Sequence, residues 1–256
     1  MGSLTRSIGN VLFRFRSFTP VPVIAALAWV LWRSRESDGP GGASVDVALN
    51  FAGLASAFLG QALRFFTLGW VTEGTSGQGS SLEAKVLNTR GPYAWVRNPL
   101  YVGNLGIVLG LLLVAHDLWA YALGLGFFFG EYFFIIRAEE AFLRDRFGAD
   151  FDAYCARVWR WVPRPPPLSA GRLRDGSFDT QRAFFKEHNP FAAWTLGLLS
   201  LWAWEVHARS GVSPEGWATL GAVAACIVLG FVFVKTQKRR WYRRQRELRH
   251  AQTQSS

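Results

Sequence analysis

Six apolar runs, at 20–32, 47–71, 100–115, 118–136, 191–206 and 217–234, constrain this chain more than any other feature. A helix needs roughly 20 apolar residues to cross a bilayer. The second, fourth and sixth runs approach that length, while the first and third are short and extend through their flanks or tilt. In lipid, backbone polar groups must be paired within the segment, so runs of this kind fold as helices. Half of the 256 residues are hydrophobic and 12 are Trp, too apolar for a soluble domain of this size. The expected fold class is all-α: an integral membrane bundle of about six transmembrane helices.

The net charge of +10 reports topology and not a nucleic-acid partner. With six spans and both ends on one side, that side holds 24 Lys and Arg residues. The opposite loops hold 3, Arg33, Arg35 and Arg209, while Arg64 lies inside a span. This is the positive-inside pattern, and it puts both termini in the cytoplasm of a multi-pass protein of a plasma, inner or endoplasmic reticulum membrane. The four His show no metal spacing, and the two Cys fall in a cytoplasmic segment (Cys155) and a span (Cys226). Neither a metal nor a disulfide is expected.

Along the chain, residues 72–90 are Gly/Ser-rich, and Gly91-Pro92 breaks the chain after them. His116-Asp117 is a two-residue polar island, which predicts a tight hairpin between the third and fourth spans. Between 138 and 162, Phe142, Phe147, Phe151, Tyr154, Val158 and Trp161 recur at roughly helical spacing with arginines between them. That pattern reads as a helix or helix pair lying against the membrane surface. A linker follows over 168–189, and His188-Asn-Pro190 reads as the capped start of the next span. Lys235–Arg249 is a basic continuation of the last span that faces anionic lipid.

Chemistry concentrates in two places. Arg97, Asn98 and Pro99 begin an apolar helix, where free N–H groups and the positive helix end favour anionic or carbonyl ligands. Tyr101 and Gly103 lie one turn further in, and Gly103, Gly106 and Gly110 leave room for a partner helix or a flat ring. Glu139 and Glu140 end another apolar helix, against both the helix dipole and the positive-inside bias. They call for a cation: Arg97, Arg137, Arg144, or a ligand's ammonium or hydroxyl pair. Arg64 and Glu131 lie within spans, about 11 Å and 9 Å from the cytoplasmic end by helix rise. Charges at that depth are costly and functional by default, so the two are expected to share one polar site near Gln61.

The run Gly91-Pro-Tyr-x-x-Val-Arg-Asn-Pro-x-Tyr-x-Gly103, followed by Glu139-Glu-x-x-Leu143, Phe147-Gly148, Tyr154, Val158 and Arg160-Trp-Val-Pro163, resembles the isoprenylcysteine carboxyl methyltransferase and phospholipid methyltransferase superfamily. The resemblance covers about 85–165 and implies a cytoplasmic pocket for S-adenosylmethionine. It divides the chain into N-terminal helices and a loop (1–84), a cofactor-binding core (85–167), and a linker, two-span unit and basic tail (168–256). Carried over, Arg97, Asn98, Pro99, Tyr101, Gly103, Glu139 and Glu140 would bind the methyl donor. Arg64, Glu131 and Glu140 are the candidates for the acceptor chemistry. The acceptor would be a lipid or prenylated molecule bearing a carboxylate or amine. Asn98 stands where the family usually has His, and Phe151 where Tyr is common. Membrane sterol reductases, which use NADPH, share part of the signature but show an Arg-Asp-Glu type run where this chain has Arg137-Ala-Glu-Glu. A non-catalytic membrane lipid-binding protein is the third reading. It would be expected to lose either the acidic pair or the Arg97 motif, and this chain keeps both.

Overall fold

A computed structural model describes residues 3–16, 32, 43–71, 84–164 and 178–254. Among these there are seven α-helices: α1 (Ser3–Phe15), α2 (Ala43–Trp70), α3 (Pro99–Ala115), α4 (Leu118–Phe147), α5 (Ala149–Arg157), α6 (Thr180–Ser210) and α7 (Pro214–Gln254). A 3-10 turn occupies Gly91–Ala94, and a single parallel bridge joins Val96 to Trp159. Three helices are long and apolar enough to cross a membrane, over Ser44–Trp70, Leu118–Phe147 and Pro214–Arg244. α3 is apolar but only 17 residues long. The first apolar run, 20–32, lies outside the described residues except for Trp32. The chain divides into two compact units, Met1–Asp179 and Thr180–Ser256.

In the first unit α2 and α3 approach through small residues. Gly53, Ala57 and Gly60 fall four and three apart on α2, and Gly103, Gly106 and Gly110 repeat that rhythm on α3. A Cβ on Gly110 would sit 2.7 Å from Ala57 Cβ, and one on Gly106 would sit 3.0 Å from Gly60 Cα. The Ser56 hydroxyl donates to the Gly106 carbonyl at 2.8 Å across the same seam. The space these glycines leave is therefore taken by a partner helix.

The α3–α4 hairpin is as tight as expected. His116 closes α3 in the left-handed region (φ 50°), and Asp117 caps α4 by accepting from Ala120 N at 2.8 Å. α1 packs along α4: Phe13 is 2% exposed, and Arg6 pairs with Asp145 at 2.6 Å.

Two expectations need correction. The aromatic stripe after Glu140 does not lie open on the membrane surface. Gly148 (φ 51°) ends α4, and α5 turns its apolar face inward, burying Phe151, Tyr154 and Val158 against Leu87, Leu143 and Phe147. The 84–98 segment supplies the cover that lipid was expected to give. His188-Asn-Pro190 does not start a helix either, since α6 already begins at Thr180 and runs through Pro190. The residues upstream bury Ala183, Phe185 and Glu187, and that packing holds helical a stretch that local signals read as linker and cap.

Candidate functional site

The segment between the 3-10 turn and α3 is held as a clamp. Gly91 takes φ 57°, and a Cβ there would lie 2.7 Å from the Trp70 ring. Arg97 N donates to Trp159 O at 2.8 Å, and Arg164 N donates to Trp95 O at 2.8 Å. The Tyr154 hydroxyl donates to Tyr93 O at 2.7 Å. Burial raises the Tyr93 and Tyr154 pKa values, so both phenols stay protonated and Tyr154 can donate. Pro99 occupies the first turn of α3, as expected. Asn98 stands at the cap position, but its side chain reaches across the clamp and its amide donates to Arg160 O at 3.1 Å. Its backbone carbonyl serves the helix instead, accepting from Tyr101 N and Val102 N at 3.0 Å.

Behind the clamp lies a cavity of about 190 Å³ between α2, α3, α4 and α5. Arg64, Arg97, Asn98, Tyr101, Glu139 and Glu140 all line it. Pro99, Gly103 and Glu131 are not among its lining residues. Pro99 is buried at the start of α3. Gly103 sits behind the wall, where a Cβ would lie 2.5 Å from Arg64 Cγ and 2.7 Å from Gly60 O. Its lack of a side chain lets Arg64 cross α3. Glu131 is half-buried, one position before Tyr132, which does line the cavity.

The two adjacent glutamates face different partners. Glu140 is 11% exposed at its side chain and takes a two-pronged contact from Arg160, Nε to Oε1 at 2.9 Å and Nη2 to Oε2 at 2.5 Å. Arg97 Nη1 adds an ion pair to Oε1 at 3.1 Å. The cation expected beside the acidic pair is thus supplied by Arg97 together with Arg160. Arg144 pairs instead with Asp152 at 2.8 Å, and Arg137 lies 4.2 Å from the Phe133 ring. The hydrogen bond from Arg160 to Glu140 raises the guanidinium's already high pKa. Among the described residues, Glu139 takes a hydrogen bond from the Tyr101 hydroxyl, at 2.8 Å to Oε1. Arg97 Nη1 also donates to Cys155 Sγ at 2.9 Å, while its buried Nε has no hydrogen-bond partner.

Asn104, Tyr132 and Arg16 also belong to the cavity and were not singled out in the sequence. Arg64 Nη1 donates to Asn104 Oδ1, and Asn104 Nδ2 donates to the Tyr132 hydroxyl at 2.7 Å. The Tyr132 and Tyr101 rings lie 4.5 Å apart. Arg16 joins the lining from the end of α1, stacked 3.8 Å over the Phe13 ring. Spacing carried part of this signal. Tyr101 and Asn104 are three apart, and Tyr132 and Glu139 seven apart, so each pair shares a helix face. Nothing in the sequence placed Arg16 against α4.

The cavity therefore offers a carboxylate with free acceptor capacity, an unpaired guanidinium nitrogen, several tyrosine rings and an inner cationic end. It suits a ligand carrying hydroxyls or an ammonium together with a carboxylate and a flat ring. The phospholipid methyltransferase family model matches residues 50–150, the stretch that builds most of this cavity. The cobalt-zinc-cadmium resistance protein CzcN of Cupriavidus metallidurans is 30% identical over 196 residues, 76% of this chain and 83% of that protein. No solved structure matches the chain.

Proposed function

We propose that this chain, which belongs to the phospholipid methyltransferase family, is an integral membrane S-adenosylmethionine-dependent methyltransferase acting on a lipidic or hydrophobic acceptor. The observation that carries the reading is the contrast within the acidic pair. Glu140 is fixed between two arginines, while Glu139 is aimed into the cavity with one tyrosine contact.

S-adenosylmethionine, when bound, supplies an electrophilic methyl group on a sulfonium. Glu139 and the Tyr101 hydroxyl would hold its ammonium or ribose hydroxyls, and Arg97 Nε its carboxylate. Asn98 and Pro99 keep Arg97 at the helix start, and Gly103 admits Arg64 to the inner wall. Glu140 acts by fixing Arg97 directly, with Arg160 holding the carboxylate in place. The main task of the protein is to hold two reactants in line and keep water out.

An amine acceptor must lose a proton, whereas a carboxylate acceptor needs no base. Both Glu140 oxygens are already engaged by guanidinium groups, and Glu131 does not line the cavity. Arg64 and Arg16 give the cavity positive charge. These features favour an anionic, carboxylate-bearing acceptor that enters sideways from lipid while the donor enters from the cytoplasm.

Mass spectrometry of lipid extracts from cells with and without the protein tests this reading. The expected result is a lipid or hydrophobic acid heavier by one methyl group only when the active protein is present. Identical extracts, with the protein shown to be folded and in the membrane, would contradict it.

A further inference from the structure

The second unit holds a cavity of its own, about 1010 Å³, between α6 and α7. Its lining changes along the helix axis. One end is apolar, with Ala193, Leu196 and Val228. The other carries Lys235, Lys238, Arg239 and Arg243, and no Asp or Glu lines any part of it. These four cations fall at intervals of three, one and four residues on one helix, so they share a face. Val228 to Arg239 spans about 16 Å of helix rise. The basic end begins where the apolar stretch of the Pro214–Arg244 span gives out, the level at which lipid headgroups lie.

The wall between the two ends is built, not incidental. His188 Nδ1 lies 2.9 Å from Phe185 O, an acceptor, so that nitrogen carries the proton. The His188 ring stacks on Phe231 at 5.5 Å. Burial, with Lys238 nearby, lowers the imidazole pKa, so His188 forms a neutral wall. Lys238 Nζ donates to the same Phe185 carbonyl at 2.8 Å, tying the two helices at the junction.

We propose that this cavity binds one anionic phospholipid. Its phosphate sits among Lys235, Arg239 and Arg243, and an acyl chain lies along Ala193, Leu196 and Val228. A free phosphate would leave the apolar half unfilled. A zwitterionic lipid would bring a fifth cation into a site that already has four. The site shares no lining residue with the cavity of the first unit and does not rest on the proposed methyltransferase activity.

The test is native mass spectrometry of the full-length, detergent-purified protein with dioleoyl phosphatidylglycerol, dioleoyl phosphatidylcholine and inorganic phosphate. Phosphatidylglycerol is expected to bind at least about tenfold tighter than phosphatidylcholine, and phosphate not to compete. Each cation near a headgroup is worth about fivefold in affinity. Combining Lys235→Gln, Arg239→Gln and Arg243→Gln should therefore weaken phosphatidylglycerol binding by about tenfold or more. Ala193→Trp, which leaves every charge in place, should weaken it as well. If that variant loses its helical signal, Ala193→Leu carries the same reading with a smaller expected loss. Unchanged binding in a folded groove-filling variant would overturn the proposal, leaving a basic helix that attracts anions without a site. Equal affinity for phosphatidylcholine, or displacement by phosphate, would overturn it too.

Discussion

Glu139 and Glu140 are neighbours about two turns before the end of α4, which runs on to Phe147 instead of ending at the pair, and they do not share a fate. Glu140→Leu would strand the Arg97 and Arg160 guanidinium groups. Breaking a buried pair costs about 3–5 kcal/mol, and because Arg160 is 38% exposed the loss here should be about 2–4 kcal/mol. Glu139→Gln keeps an acceptor for the Tyr101 hydroxyl and should change stability by less than about 1 kcal/mol. Denaturant melts of the two variants check this, and the reverse order would mean that Glu139 is the structural member. Cys155 gives a pH signature. Burial raises its pKa above the ordinary thiol range, and the nearby Arg97 offsets only part of that. The thiol should therefore stay protonated as pH rises past the point where a free cysteine ionises. In a Cys226→Ser background, the iodoacetamide rate should reach its midpoint at higher pH than for free cysteine. A midpoint below that of free cysteine would show Arg97 to be the stronger influence.

At the scale of elements, the α2–α3 seam decides where Arg64 points. A Cβ on Gly60 would clash with Gly103 O and lie 2.9 Å from Ile107 N, both backbone atoms that cannot move alone. Gly60→Val should force the helices apart, costing about 1–3 kcal/mol and displacing Arg64 from the cavity. Gly126→Val, where a Cβ meets nothing within 4 Å, is the control and should be close to neutral. Thermal melts read both, and equal effects would contradict the seam. Much of this layer was legible in the sequence. The glycine rhythm announced a helix contact, His116-Asp117 announced the hairpin, and Pro99 announced a helix start. Pro190 carried the same local signal and meant something else, because packing upstream keeps α6 helical through it. Arg160 as the partner of Glu140 was not legible, since it follows from α5 folding back over 84–98 after the Gly148 turn.

For the whole molecule, the distribution of Lys and Arg predicts that positions 3 and 255 face one side of the membrane and position 210 the other. Cysteines introduced at Ser3, Ser210 and Ser255 of a cysteine-free variant should label accordingly, and labelling of position 210 from the cytoplasmic side would refute the last two spans as drawn. The cavity depends on a different property, the convergence of four helices on one acidic pair. Adjacent carboxylates closing an apolar run pointed to that convergence in the sequence. The Arg64–Asn104–Tyr132 chain that forms the inner wall needed the packing to be seen. The central claim is that this cavity holds a methyl donor through Glu139. Titration calorimetry of the detergent-purified protein with S-adenosylhomocysteine, the demethylated product, tests it most directly. The expected result is saturable one-site binding, weakened about tenfold or more in a fully folded Glu139→Gln variant, the loss of a charge-assisted contact worth about 1.5–3 kcal/mol. No binding of S-adenosylhomocysteine alongside tight binding of NADPH, or product affinity untouched by Glu139→Gln, would contradict it.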